Sequence, residues 1–209
     1  MLNKILILSP HMDDEVLGCG GLISKTNKDN LHIHYFNKKH ATVDDKIYSE
    51  ENGKLLDAVG CACSFSNKFV VNRLDEVPIL KIIYEIENLI NILKPDTLLI
   101  PYPSYNQDHR KIYQASLTAA RPHDVNFFVK KILIYEQPET QQSIGVCSGF
   151  KPLVFTPIDI EKKIELYSYY KSQVREHRSI KAIKSLAYLR GSQSNCEYAE
   201  AFQVLRWVL

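Results

Sequence analysis

An apolar run near the start of the chain, residues 4–9, restricts the possible folds most strongly. Its residues, KILILS, are mostly isoleucine and leucine, without the alternation of a half-exposed strand. A short run of this kind is typical of a strand buried on both faces of a parallel sheet. Pro10 ends the run, three acidic residues follow at 13–15, and apolar residues then recur at helical spacing. The segment therefore predicts a buried strand, a tight turn and a helix with acids in its first turn.

Strand and helix patterns alternate along the rest of the chain. Further strands are predicted at 31–36, 97–100, 131–135, 153–156 and 199–209, and helices at 49–59, 77–93, 110–120 and from an Asp159 cap to about 172. Strands that alternate with helices indicate right-handed crossovers and a mostly parallel sheet. We therefore expect an α/β fold, Rossmann-like and open, with helices on both faces. The 209 residues contain no repeat or linker and fit a single domain, 1–209.

Composition and charge exclude several classes of partner. The formal net charge is only +2 and the basic residues are scattered among acids, so no nucleic-acid partner is expected. No stretch reaches the roughly 20 apolar residues that span a bilayer, so no stable membrane insertion is expected. Five cysteines form no CxxC pair, and the first residues do not resemble a signal peptide. We therefore expect a cytoplasmic protein with reduced thiols.

Polar residues follow two of the predicted strands, where ligands of open parallel sheets bind. One group is His11 to Glu15, and the other is Asn106 to His109. Two imidazoles and one carboxylate are a common ligand set for hydrolytic zinc, so His11, Asp14 and His109 are candidate metal ligands. Because residues three apart around a first helical turn can point to the same side, His11 and Asp14 can bind one ion. Asp13 is then free to act as general base and acid in amide hydrolysis.

These motifs resemble a known family. SPHMDDEVLGCGG at 9–21 is similar to the PHPDDE motif and glycine pair of the LmbE-like or PIG-L-like deacetylases, and Asp108-His109 is similar to the end of their second motif. The similarity continues at Pro95-Asp96, Arg121-Pro122, Arg190-Gly191 and 199–202. The resemblance implies a Rossmann-like fold, one Zn²⁺ (or iron) ion at His11, Asp14 and His109, and Asp13 as general base. It also implies a small-molecule substrate that carries an N-acetylglucosaminyl group, in free, nucleotide-linked or lipid-linked form.

Two positions depart from the family pattern. Met12 replaces the usual proline, which leaves the ligands in place. Asn106 stands where many members have a histidine that stabilises the oxyanion. An asparagine amide donates a hydrogen bond but carries neither a proton nor a charge, so Asn106 is predicted to be a neutral catalytic helper.

Several other residues have two interpretations each. Asp108 is predicted either to orient a ligand histidine from outside the metal shell or to cap the following helix. Arg73 is a candidate contact to a sugar hydroxyl or phosphate. His32 and His34 have a spacing that can bind metal, but a polar sheet edge is the preferred interpretation. The segment 173–178, with Gln173, Arg175, His177 and Arg178, is placed near the end of a long helix; it either reaches over the pocket or complements the helix dipole, and both interpretations stay open.

Three functions follow from these residues. The first is zinc-dependent removal of an N-acetyl group from an amino sugar, with release of acetate. The second is a metal-dependent phosphoesterase, for which a second ligand set is missing. The third is a non-catalytic sugar-binding protein that contains a metal; it would not need Asp13 as a spare base. The sequence carries no signal for an oligomeric state.

Overall fold

One seven-stranded sheet forms the centre of the protein in the computed structural model, which describes residues 2–37, 44–66, 69–142 and 149–209. The strands are β1 (Ile5–Ser9), β2 (Leu31–Tyr35), β3 (Ala62–Phe65), β4 (Thr97–Pro101), β5 (Lys131–Tyr135), β6 (Val154–Pro157) and β7 (Ala199–Trp207). Their order across the sheet is β3-β2-β1-β4-β5-β7-β6. The first five in this order are parallel, and β7 pairs antiparallel with both β5 and β6. The predicted mostly parallel α/β sheet is confirmed.

Helices cover both faces of this sheet. They are α1 (Asp14–Lys25), α2 (Asp45–Val59), α3 (Ile79–Leu93), α4 (Gln107–Ala119), α5 (Pro138–Gln142), α6 (Ile160–Ser168) and α7 (Ile180–Gln193). One apolar core lies between the sheet and α1, α2, α6 and α7, and a second lies between the sheet and α3 and α4. β1 contributes alternate residues to the two cores, which explains why the run at 4–9 has no polar face. No helix within the described ranges combines the length and the apolar character needed to cross a membrane.

The segment after β6 differs from its prediction. The helix that begins after the Asp159 cap ends at Ser168, and two short 3₁₀ turns follow, at Lys171–Gln173 and Glu176–Arg178. The helix ends here because Tyr170 turns into the core and donates a hydrogen bond from its hydroxyl to Glu15 (2.7 Å). The basic segment 173–178 is therefore a loop, and the prediction that it ends a long helix is wrong. Helix α7 and edge strand β3 were not predicted.

Two glycines of α1 allow the helix to approach its neighbours closely. A Cβ atom at Gly18 would lie 2.2 Å from a ring carbon of Tyr135, and one at Gly21 would lie 2.4 Å from the side chain of Ile158. These distances are far below van der Waals contact, so only glycine fits. Close packing of α1 against β5 and the segment before α6 therefore accounts for these two glycines.

Candidate metal centre and active site

The two polar loops meet at the carboxyl ends of β1 and β4, which are neighbouring parallel strands. His11 lies in the loop after β1, and Asp14 begins α1. His109 lies in the first turn of α4, which follows β4. The sheet therefore brings together side chains that are almost 100 residues apart in sequence.

The three predicted ligands form a compact donor set. Asp14 Oδ2 lies 3.1 Å from His11 Nδ1 and 3.1 Å from His109 Nε2. Among the described residues, these three form the one group of histidine, cysteine or acidic side chains whose ligand atoms all lie within 4.8 Å of one another. Two imidazole nitrogens and one carboxylate at this separation fit a metal ion that keeps an open coordination position.

Each of these three side chains makes a further contact through its other ring nitrogen or carboxylate oxygen. Asp108 Oδ2 lies 3.0 Å from His11 Nε2, and the Gln137 amide donates to Asp14 Oδ1 at 2.8 Å. Because a carboxylate accepts hydrogen bonds, the proton of neutral His11 belongs on Nε2, which leaves Nδ1 free for a metal.

His109 is oriented in the same way by a hydroxyl. Ser104 donates its proton to Glu139 (2.9 Å), so its oxygen accepts from His109 Nδ1–H at 3.1 Å. This arrangement leaves His109 Nε2 free on the side that faces Asp14. The donor set is therefore preorganised by hydrogen bonds that involve none of the metal-facing atoms of the histidines.

Asp108 lies at the centre of these outer contacts. Its buried carboxylate also accepts hydrogen bonds from the backbone N–H groups of Asn72 (2.7 Å) and Leu74 (3.0 Å). Burial on its own would raise the pKa of Asp108, but these bonds and the contact with His11 outweigh it and lower the pKa. Of the two interpretations of Asp108, contact with the candidate ligand His11 describes its side chain. The helix cap is Asn106, whose side chain accepts from the Asp108 N–H at 2.8 Å.

Asp13 lies beside the donor set and does not belong to it. Its side chain is buried, and its backbone has φ = 121°, a value that residues other than glycine rarely adopt. Its backbone N–H donates to Glu15 Oε2 at 3.0 Å, which helps to hold this conformation. A strained residue held by its surroundings is common at active sites, because the strain aims a side chain in a direction that relaxed backbone does not allow.

Arg178, whose role the sequence left open, contacts the side chain of Asp13. Its Nη1 donates to Asp13 Oδ2 at 2.9 Å across 165 positions of sequence. Burial raises the pKa of Asp13, and the positive charge of Arg178 opposes that effect. In the sequence, Arg178 belongs only to a short basic segment. Its contact with Asp13 depends on the 3₁₀ turn Glu176–Arg178, which the sequence pattern does not predict.

A small cavity of about 90 Å³ opens beside these residues. Its lining is almost entirely polar and consists of His11, Asp13, Val71, Asn72, Asn106, Gln173 and Arg178. The predicted residue Asn106 therefore lies on the cavity wall. Its amide nitrogen donates to Asn72 Oδ1 at 3.2 Å, and its second N–H is not needed for that bond.

Arg73 lies outside this cavity lining. Its guanidinium group forms an ion pair with Glu76 at the surface, with 2.9 Å between Nη2 and Oε2. The adjacent Asn72 faces the cavity instead. A contact between Arg73 and substrate stays a prediction.

Comparisons with known proteins agree with this site. Residues 6–120 match the model of the PIG-L family, described as GlcNAc-PI de-N-acetylase. The uncharacterized deacetylase YaiS of Escherichia coli strain K12 is 27% identical over 184 residues, which are 84% of this chain and 90% of YaiS. The family match covers more than half of the chain, so the protein belongs to the PIG-L family of deacetylases.

Solved structures share the fold. N,N'-diacetylchitobiose deacetylase of Pyrococcus horikoshii has a TM-score of 0.76 at 16% identity, over 98% of this chain and 84% of that one. GalB of Pseudomonas putida KT2440, a 4-carboxy-2-hydroxymuconate hydratase, has a TM-score of 0.73 at 18% identity, over 99% and 98%. Since one is a deacetylase and the other a hydratase, the fold alone does not define the reaction. The reaction must therefore be inferred from the residues of the site.

Proposed function

We propose that the protein is a zinc-dependent hydrolase that removes the N-acetyl group from an amino sugar of the N-acetylglucosamine type and releases acetate. One observation carries the proposal: the buried carboxylate of Asp13 lies beside a His-Asp-His donor set without being part of it. A structural zinc site uses four protein ligands and has no need of a spare base. An amide hydrolase needs both an open metal position and a base.

Each residue of the site has its own part in the proposed reaction. A zinc ion held by His11, Asp14 and His109 would supply Lewis acidity, polarising the amide carbonyl and making a bound water more acidic. Asp13 takes the proton of the attacking water at its carboxylate and returns it to the leaving nitrogen as the C–N bond breaks. Arg178 holds Asp13 in position and keeps a positive charge next to it.

Asn106 is proposed to assist from the cavity wall. The amide N–H that is not used by Asn72 is available to donate to the carbonyl oxygen, where negative charge develops. This donor is neutral, so charge stabilisation depends more on the metal than it would with a histidine. Arg73, at the nearby surface, is proposed to contact an extended part of the substrate.

The polar cavity supports a carbohydrate substrate. Asn72, Gln173 and Arg178 offer amide and guanidinium groups of the kind that bind sugar hydroxyls. The named activity of the family model and the diacetylchitobiose deacetylase structure are consistent with an N-acetylglucosaminyl group. A phosphoesterase with two metals finds no comparable support, because the described residues form no second cluster of three potential ligands.

The test is acetate release from a panel of free, nucleotide-linked and lipid-linked N-acetylglucosamine derivatives. We expect activity that disappears with a chelator and returns when zinc is added. Zinc-loaded protein that releases no acetate from any member of the panel would contradict the proposal and favour the non-catalytic sugar-binding alternative.

A further inference from the structure

A second group of catalytic side-chain types lies on β2, β3 and α3, separate from the metal centre. His34 of β2 and Ser64 of β3 are register partners in the parallel sheet. The Ser64 hydroxyl lies 2.8 Å from His34 Nδ1, and Glu85 Oε1 of α3 lies 3.1 Å from His34 Nε2. His32 completes the group, with its Nε2 also 2.8 Å from Ser64 Oγ. We call these four residues the Ser64 cluster.

The hydrogen positions in this cluster follow from what each group can donate. A carboxylate has no proton to give, so the proton of neutral His34 belongs on Nε2, facing Glu85. His34 Nδ1 is then an acceptor, and the Ser64 hydroxyl donates to it. Since that hydroxyl has one proton, His32 Nε2 must donate its own proton to Ser64 Oγ.

The environment keeps these roles fixed. Burial, with a smaller contribution from the charge of Lys4, lowers the pKa of His32 to about 4, so this ring is neutral at neutral pH. His34 is buried and packs edge-on against Phe36, with ring centroids 4.7 Å apart. Phe36 and the Ser64 contact at Nδ1 therefore hold the ring of His34, while its Nε2 faces the Glu85 carboxylate without a hydrogen-bond partner among the described residues.

The cluster opens onto a groove of about 620 Å³. Ser64 and His34 line it together with apolar side chains that include Phe69, Tyr84 and Leu89. A partly buried hydroxyl at the edge of an apolar groove is accessible to the acyl part of a small ester. A histidine that serves only to satisfy a core hydrogen bond requires no such groove.

We propose that Ser64 is a nucleophile for short-chain carboxylic esters, with His34 as its general base and the nearby charge of Glu85 stabilising the His34 ring when it is protonated. Ser64 Oγ bonds to the acyl carbon while its proton passes to His34 Nδ1. The bond to the alcohol oxygen breaks, and the alcohol leaves with that proton. Water then attacks the acyl-serine, gives a proton to His34, and releases the carboxylic acid as the proton returns to Ser64. His32 Nε2–H stabilises negative charge on Ser64 Oγ.

The test is labelling of the zinc-loaded, full-length protein with an alkyl fluorophosphonate, read by peptide mass spectrometry. A phosphonyl group on Ser64 is expected, with Tyr84→Phe, which removes an exposed hydroxyl from the same groove, retaining that label. Ser64→Ala should lose the label, and His34→Gln should slow it by roughly 100-fold, the usual contribution of a general base. Because Ser64→Ala leaves the metal centre intact, its acetate release should remain unchanged, which shows that the variant is folded.

A second measurement uses hydrolysis of 4-nitrophenyl butyrate. The hydrolysis rate of the wild type minus that of Ser64→Ala gives the turnover due to the Ser64 cluster. Glu85→Gln should lower the kcat of this turnover and leave its KM unchanged. An absence of label on Ser64 in protein with a native melting transition would overturn the proposal. Equal labelling rates in wild type and His34→Gln would also overturn it. Neither result bears on acetate release, so the two proposals can fail separately.

Discussion

At the scale of single residues, the candidate metal ligands depend on partners outside the metal shell. Asp108, Ser104 and Gln137 each contact the atom of a ligand that faces away from the metal position. Such contacts select one tautomer and one orientation of the ring or carboxylate. The site therefore extends beyond the three residues that the motif identifies.

Replacing Asp108 with asparagine tests this dependence. The amide keeps the shape but removes the negative charge that faces His11 Nε2, and zinc affinity should fall about 10- to 100-fold, as is typical for such partners. Competition with a chromophoric chelator measures the affinity. The control is Asp75→Asn, an exposed carboxylate in the nearby 3₁₀ turn Leu74–Glu76, which should bind zinc as the wild type does. Unchanged affinity in Asp108→Asn would show that Asp108 does not support the ligand.

Only some residues of the candidate site could be predicted from the sequence. His11, Asp13, Asp14 and His109 were predicted because they form local motifs at strand ends. Arg178 and Gln137 were not assigned roles, because they reach the site from distant positions and belong to no local pattern. Contacts of this kind depend on packing of loops, which the spacing of residues does not encode.

At the scale of elements, the strands of the sheet centre and the edge strand β6 were predictable from the sequence, and the edge strand β3 was not. β1 and β4 are continuous apolar runs that are fully buried, so their sequence pattern is strong. β3 has the sequence ACSF and is only partly buried at the sheet edge, so it shows neither an apolar run nor alternation. The α7 pattern is weak because exposed apolar residues, including Tyr188 and Leu189, obscure its buried face.

Helix α1 provides a stability test at this scale. Gly18→Ala would place a methyl group against the Tyr135 ring, and we expect a loss of roughly 1–3 kcal/mol of unfolding free energy, typical of overpacking. Gly53→Ala is the matched control, since a Cβ atom at this position in α2 meets nothing within 4 Å. There the better helix propensity of alanine should stabilise the protein by about 0.5–1 kcal/mol. Denaturant unfolding measures both, and equal stability of Gly18→Ala and wild type would contradict the packing argument.

At the scale of the whole molecule, a metal ion at the candidate site would join segments that are far apart in the chain. The loops after β1 and β4 each contribute ligands, so an ion bound at His11, Asp14 and His109 favours the folded state over the unfolded one. The antiparallel β7 adds a further link, because it joins the end of the chain to the parallel strands that carry the site.

Zinc should therefore raise the thermal midpoint. At a free zinc concentration about 100-fold above Kd the gain is about 2.7 kcal/mol, or roughly 5–10 °C for a chain of this size. Differential scanning calorimetry measures the midpoint with and without zinc. His109→Ala should lose most of the shift, whereas His123→Ala, a histidine outside the cluster, should retain it. A zinc-dependent rise of equal size in both variants would place the metal elsewhere.

The most direct test of the proposed function is the acetate release rate of Asp13→Asn with its zinc content measured in the same sample. An asparagine has nearly the same shape and can still contact Arg178, but it cannot take a proton from water. We expect zinc content equal to that of the wild type and kcat lower by about 10²–10⁴-fold, the usual contribution of a general base. Full activity in zinc-loaded Asp13→Asn would contradict the assignment of Asp13 as the base, and with it the mechanism proposed for this site.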